Sequence, residues 1–438
     1  MKKDLQNILI TADSANFAKK LSALRKNVSS AATFDLAGAE GGKAARIISD
    51  IRKQGDKAVS RYTLAFDKVK LTPAQFKISP KELKASHKNI DKKLLASIRK
   101  AIANVKKYQQ KIFIGNNKSF GETGIKYTPM SRAGLCIPGA SAPLPSTVIM
   151  TAVPALVAGV KEIVVVSPPR YNGSIHPVIL ATCYELGIEE VYRIGGVQAV
   201  AAISFGTETI KPVDMIAGPG NQWVSTAKKM VYGQVKIDSI AGPSEVLIIA
   251  DKNSNPAYLA ADMLSQAEHA PAGGAVLFTD SKTTANNVIE NLSKQLNLLP
   301  RKTQTLEILK KFSLVAVFKS IADCIDWANK FASEHLEIQC GKNSRKIAEK
   351  IKNAGAIFIG EYSPVAVGDY FAGPSHTLPT GGCARFSSAL TSNDFIKSIS
   401  IIEYDKKKLA KSADDIIRLA EAEGLDGHAK SVKIRFEK

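Results

Sequence analysis

The sequence predicts an α/β protein with parallel sheets covered by helices on both faces, and with strands enough for two such sheets. Three observations carry this. From about residue 121, short β-branched runs alternate with amphipathic stretches; Gly- and Pro-rich loops bound the runs; and residues 1–120 show helical rather than strand periodicity. At roughly 150 residues per domain, the 438 residues imply about two to four domains. A chain this long buries a core without disulfide or metal staples.

In the first quarter, apolar residues recur at helical spacing over 45–66 (Ile47, Ile48, Ile51, Val59, Tyr62) and 94–108 (Leu95, Ile98, Ile102, Val105). A first strand–helix series then reads 162–167 and 177–187, 191–194 and 198–205, 214–217 and 222–232. A second reads 246–250 and 256–268, 275–279 and 282–296, 314–318 and 322–331, 336–339 and 344–353, then 356–359. From 391 the pattern is helical again, ending in a polar segment around 421–428. In open parallel sheets, ligands lie where loops leave the carboxyl ends of strands, so chemistry is expected in the loops that follow these strands.

Composition narrows the class. Apolar residues make up 45% and charged residues 23%, as in ordinary globular enzymes and unlike fibrous or disordered chains. The longest apolar run, 147–160, contains Pro154 and is short of the roughly 20 residues a membrane span needs. The formal charge of +20 is concentrated: residues 1–120 hold 26 Lys/Arg against 9 Asp/Glu. Lys84, Lys88, Lys92, Lys93, Arg99 and Lys100 are spread along helix-like stretches, without a basic block, an aromatic RNP-type motif or a Cys/His finger. They read as a solvated helix face, with a polyanion-binding role as the competing reading and no nucleic-acid partner expected. The five cysteines (Cys136, Cys183, Cys324, Cys340, Cys383) are odd in number, far apart and without CxxC. With no apolar h-region near the start, they point to a reducing compartment, the cytoplasm.

Four loops are rich in Gly and Pro: 134–139, 195–196, 218–221 and 242–245. Glycine permits close backbone approach to a ligand, and a strand–Gly loop–helix unit commonly cradles an anion. No GxGxxG or P-loop is present. Of six histidines, His87 and His176 read as surface or capping residues. Gln266 and His269 stand at i and i+3 on one helix face, an acceptable half-site for a borderline metal ion. Glu334-His335, where a helix gives way to a strand, offers acid–base chemistry near neutral pH. Asp369 and His376 lie in a Gly/Pro-rich loop, and Glu423 and His428 form a pair near the end. Taken this far, the residues indicate a candidate metal-dependent α/β enzyme and no more.

The same segments resemble the histidinol dehydrogenase family from about residue 45 to 428. The resemblance rests on GLCIPGASAPLPSTVIM (134–150), VYRIGGVQAVAAISFGTETI (191–210), GPGNQWVSTAK (218–228), AGPSEVLIIAD (241–251), DMLSQAEH (262–269), SEHLEIQ (333–339), GDYFAGPSHTLPT (368–380) and AEGLDGH (422–428). It implies a zinc-dependent, NAD-linked homodimer that oxidises L-histidinol through the aldehyde to L-histidine with reduction of two NAD. The metal ligands fall on Gln266, His269, Asp369 and His428, the last contributed across the dimer, with one zinc per subunit. Glu334 and His335 match the acid–base pair. Ser244, His376 and Glu423 match substrate-holding positions, joined there by Gln266, His269, His335, Asp369 and His428. Cys136, Gln198 and Asn221 match dinucleotide contacts, although the family usually has Tyr at Cys136 and Gly at Ala140.

The fold expected from all this is two incomplete doubly wound, Rossmann-like domains. The first spans 25–120 and 245–390 and carries the metal and acid–base residues. The second, 121–244, is inserted into it and binds the dinucleotide. Residues 1–24 form a dimerisation segment, and 391–438 contribute to the partner's site. The competing enzyme is a relative using the same machinery on another alcohol, such as sulfopropanediol.

Overall fold

The computed structural model describes residues 2–30, 32–139, 142–268 and 273–437, so His269 and Ala140 lie outside the described residues. The chain divides into two compact units, residues 1–113 with 130–395, and residues 114–129 with 396–438. Among the described residues the strands are, in chain order, β1 (Leu9–Thr11), β2 (Lys118–Ser119), β3 (Thr123–Pro129), β4 (Arg132–Cys136), β5 (Glu162–Val166), β6 (Glu190–Tyr192), β7 (Met215–Ala217), β8 (Lys236–Ile237), β9 (Glu245–Ala250), β10 (Gly274–Thr279), β11 (Ser313–Val317), β12 (His335–Gln339), β13 (Ala356–Ile359) and β14 (Ile396–Ile402).

The first unit holds two wholly parallel sheets. One is six-stranded in the order β1-β11-β10-β9-β12-β13, and the other five-stranded in the order β6-β5-β4-β7-β8. The central strands β9 and β10 are buried along their whole length, and they read as near-continuous apolar runs because helices cover both faces. Apart from the edge strand β1, the strand order reverses direction once in each sheet, between β9 and β12 and between β4 and β7. These are the topological switch points.

The early helices differ from the expected division. The helix Ala39–Asp67 packs on the helix Gly196–Phe205, and Ile47, Ile51 and Val59 share a core with Val164, Ile203 and Ile216. The helices Pro80–Asn89 and Lys92–Ile112 pack on Pro177–Glu185 and Pro145–Ala158. Residues 39–112 thus cover the five-stranded sheet, although they were expected with the six-stranded one. Their periodicity predicts a buried stripe but not which sheet receives it. Lys84, Lys88, Lys92, Lys93, Arg99 and Lys100 are exposed on these helices.

The N-terminal segment is also more than a flank. Leu5, Ile8, Phe17 and Leu21 are buried in the core of the six-stranded sheet, and β1 extends its edge by pairing Leu9 with Val315. The Phe17 ring meets Phe318 at 5.3 Å and Trp327 at 4.9 Å, both edge-on.

In the second unit, β14 lies antiparallel on β3, pairing Ile399 with Lys126, and β2 completes a three-stranded sheet. Residues 396–402 therefore form a strand where helical patterning was read, and β3 belongs here, not to the inserted domain. All but the first residue of β14 are exposed, so it lacks the one-sided burial that produces a period-2 signal. The helices Lys406–Ala422 and Asp426–Lys433 pack on each other.

Two expectations follow. Replacing Phe17 by Ala should cost about 3–5 kcal/mol in urea unfolding, the usual loss for a buried aromatic. On the helix Pro177–Glu185, Glu185 accepts from Arg99 Nε (2.7 Å) and meets His87 Nε2 (2.6 Å). Arg99 foremost, then His87, hold its carboxyl below the usual range against the opposing effect of burial. The stability it contributes is present above the ordinary carboxylate pKa and is lost as pH falls through its depressed value. Thermal melts should show Glu185→Gln below the parent at neutral pH, with the gap closing below about pH 4.

Candidate functional site

The helix Ile321–Phe331 ends at Ala332 with a left-handed turn (φ 50°), which delivers Ser333 and Glu334 to the start of β12. His335 opens that strand and pairs in register with Val246 of β9. Adjacent positions on a strand face opposite ways, yet both side chains share one anchor. That anchor is the backbone of Glu245. Its N–H donates to Glu334 Oε2 (2.9 Å), and its carbonyl receives His335 Nδ1 (3.1 Å). A carbonyl can only accept, so Nδ1 carries the hydrogen. His335 Nε2, buried and without a hydrogen-bond partner, is directed towards Asp369 Oδ1 at 3.8 Å.

Glu334 and His335 are each 3% exposed. Burial pushes Glu334 up to about 7, with His335 pulling the other way. Burial alone would depress His335, but Glu334, Asp369 and the bond to Glu245 together outweigh it and raise the imidazole to about 9. The carboxyl thus exchanges protons near neutrality, and the imidazole has more proton affinity than an ordinary histidine. The Glu245 side chain is fully buried, and burial raises its carboxyl against the nearby Arg25.

This pair sits at the amino ends of β9 and β12, not at the carboxyl ends where chemistry is expected in an open parallel sheet. The helices explain the reversal. Pro256–Ala267 runs back from the carboxyl end of β9, so its last turn brings Gln266 to the opposite edge of the sheet. Gln266 is 1% exposed and its Nε2 has no partner. Asp369 lies in the short helix Val365–Tyr370, whose first N–H donates to Glu337 Oε1 of β12 (3.0 Å). Ser244 precedes β9, and its carbonyl accepts from Gly274 (2.9 Å). His376 Nε2 meets Thr147 Oγ1 at 3.3 Å, at the start of the helix Pro145–Ala158. Glu423 and His428 belong to the second unit, where both are exposed.

Among the described residues, no three His, Cys, Asp or Glu side chains gather to hold a metal ion. Gln266 and Asp369 are nevertheless an amide and a carboxylate of the kind a borderline divalent ion takes, and Gln266 is a buried polar side chain short of a partner.

Cys136 and Asn221 stand at the ends of β4 and β7, the two strands of the switch point of the five-stranded sheet, and Gln198 follows the edge strand β6. Cys136 ends β4, is buried in the core, and has its thiol pushed up to about 12 by burial. A thiol held neutral in this way is not a nucleophile. Gln198, in the helix Gly196–Phe205, is 1% exposed with Oε1 unpartnered, and Ser167 Oγ after β5 is unpartnered too. Asn221 caps the helix Gln222–Val231, accepting from Trp223 and Val224. Buried acceptors beside glycine turns suit a dinucleotide. The role of the Glu245 peptide was not foreseen, although its residue stood in a loop already singled out by composition.

The histidinol dehydrogenase family model matches residues 37–436. Histidinol dehydrogenase of Oceanobacillus iheyensis is 46% identical over 396 residues, covering 90% of this chain and 92% of that protein. That of Gloeobacter violaceus is 45% identical over 395 residues, covering 89% and 88%. The crystal structure of histidinol dehydrogenase from Elizabethkingia anophelis superposes with a TM-score of 0.87 at 37% identity, covering 94% of this chain and 95% of that one.

The anchor can be tested without any substrate. Glu334→Ala strands the buried Glu245 N–H and should cost about 1–3 kcal/mol in denaturant unfolding, whereas Glu334→Gln keeps an acceptor and should cost less.

Proposed function

The chain belongs to the histidinol dehydrogenase family, and from this premise we propose that it oxidises L-histidinol to L-histidine through L-histidinaldehyde, as a homodimeric oxidoreductase using NAD and one zinc per subunit. The observation that carries the reading is the geometry at Glu245. The backbone N–H and C=O of this one residue hold Glu334 and His335 together and leave His335 Nε2 as the base.

Gln266, His269 and Asp369, with His428 from the partner chain, would hold zinc, which would supply positive charge and an anchor that orients the substrate. Gln198 and Asn221, with Cys136 lining the site, would hold NAD, which would supply the hydride acceptor. His335, in its neutral form, takes the hydroxyl proton at Nε2 as hydride leaves the carbinol carbon. Glu334, poised near neutrality, activates water for addition to the aldehyde, and His335 again accepts the proton when the hydrate loses its hydride. Overall, one alcohol and one water give one carboxylate, two NADH and three protons. Ser244, His376 and Glu423 hold the substrate throughout, keeping a reactive aldehyde out of solution.

Glu423 and His428 are exposed in their own unit, together with Leu419, Leu425 and Ile434. This is what residues offered to a second subunit would show. All five cysteines are free, which suits the cytoplasm. No helix among the described residues is long and apolar enough to cross a membrane.

With limiting L-histidinol and excess NAD, zinc-loaded protein should form two NADH per histidinol, lose this on chelation and regain it with zinc. One NADH would indicate a relative that stops at a carbonyl product, and none would overturn the reading. His335→Asn should lower kcat by roughly 10²–10⁴-fold with zinc content unchanged.

A further inference from the structure

Lys228 is among the largest fully buried side chains of the protein. It lies on the helix Gln222–Val231, and Nζ donates to the Gly218 carbonyl (3.0 Å) and pairs with Asp238 Oδ1. Asp238 Oδ2 in turn accepts the Gly218 N–H (2.7 Å), while Oδ1 accepts from the Ser239 N–H (2.6 Å). Both polar groups of Gly218 are therefore held by one buried ion pair. Gly218 has φ 105°, and a Cβ there would lie 2.4 Å from the Cys136 carbonyl, so no other residue fits.

A buried ion pair is costly to desolvate and is weak evidence for stability as such. Its location is more telling. Gly218 follows β7 and abuts the end of β4, at the switch point of the five-stranded sheet. Residues 218–221 lead directly into the helix that Asn221 caps, and Lys228 reaches back from that helix to the first residue of the loop. The loop cannot rotate without breaking the pair. Asn221 Oδ1 is committed to the cap, so only its amide nitrogen is left to face a ligand, and its direction depends on the same circuit. Lys228 and Asp238 have side chains only 2% and 3% exposed, beneath the loop.

We infer that Lys228 and Asp238 are positioning residues that hold residues 218–221 in the conformation that receives the dinucleotide, an inference that rests on the NAD-linked reading above. They act through Gly218 and Asn221 rather than on the cofactor.

The test is NADH binding by fluorescence titration, beside thermal melts, zinc content and steady-state kinetics, on the full chain. Lys228→Met alone strands the buried Asp238 carboxylate and is expected to melt early. The double variant Lys228→Met/Asp238→Asn removes both charges and keeps an acceptor for the Gly218 N–H. It should retain its zinc and its thermal midpoint, yet bind NADH about ten-fold or more weakly, with KM for NAD raised alike. Its kcat at saturating NAD and its KM for histidinol should stay within about two-fold of the parent. Parent-like NADH binding in the folded double variant would overturn the inference. So would equal losses of NADH, zinc and histidinol, or a double variant that does not fold, since each marks the pair as general scaffolding. Failure of the parent protein to bind NADH would instead remove the dinucleotide reading on which the inference stands.

Discussion

The parallel register between β9 and β12 is the constraint on which the candidate site depends. With His335 opposite Val246, the peptide of Glu245 lies within reach of both Glu334 and His335. A slip of one residue would turn every side chain of β12 to the other face and separate the pair from its anchor. Register is held by burial, since β9 and β12 are buried at every position. The hydrophobic core thus sets the tautomer of one histidine.

The two sheets divide the chemistry by opposite means. In the five-stranded sheet, Cys136 ends a strand, and Gln198 and Asn221 follow strands and stand at helix starts, on the side the switch-point rule expects. In the six-stranded sheet, the acid–base pair precedes its strand and is met by the far end of the returning helix. Groups at strand starts are fixed by the sheet ladder, which suits proton transfer needing tight geometry. Groups on glycine loops follow the ligand's shape, which suits a cofactor that must leave and return.

Much of this was legible in the residues. The strand–helix alternation over 162–359 states the parallel architecture because each element carries its own period, and Glu334-His335 stood at a visible helix–strand junction. Four things were not legible. β14 shows no alternation because it is nearly all exposed, and its partner β3 is remote in sequence. The helices of residues 39–112 announce an apolar stripe without naming the sheet that covers it. The hold on Glu334 and His335 comes from backbone atoms, which every residue possesses, so no side-chain pattern could reveal it. The Lys228–Asp238 pair was hidden differently: lysine reads as surface, and only burial shows otherwise.

The outermost strand of the six-stranded sheet comes first in the chain, while its partner β11 ends at Val317. On the ribosome, Leu5, Ile8 and Phe17 therefore emerge long before the strand that shelters them exists. Until β11 is made, the leading segment has no edge to join, and its apolar face is open to mispairing or to chaperones. Closure of the sheet must wait for contacts of very large sequence separation, the slow class in folding kinetics. A chain stopped before residue 313 would leave that beginning without a seat, however well its middle had folded.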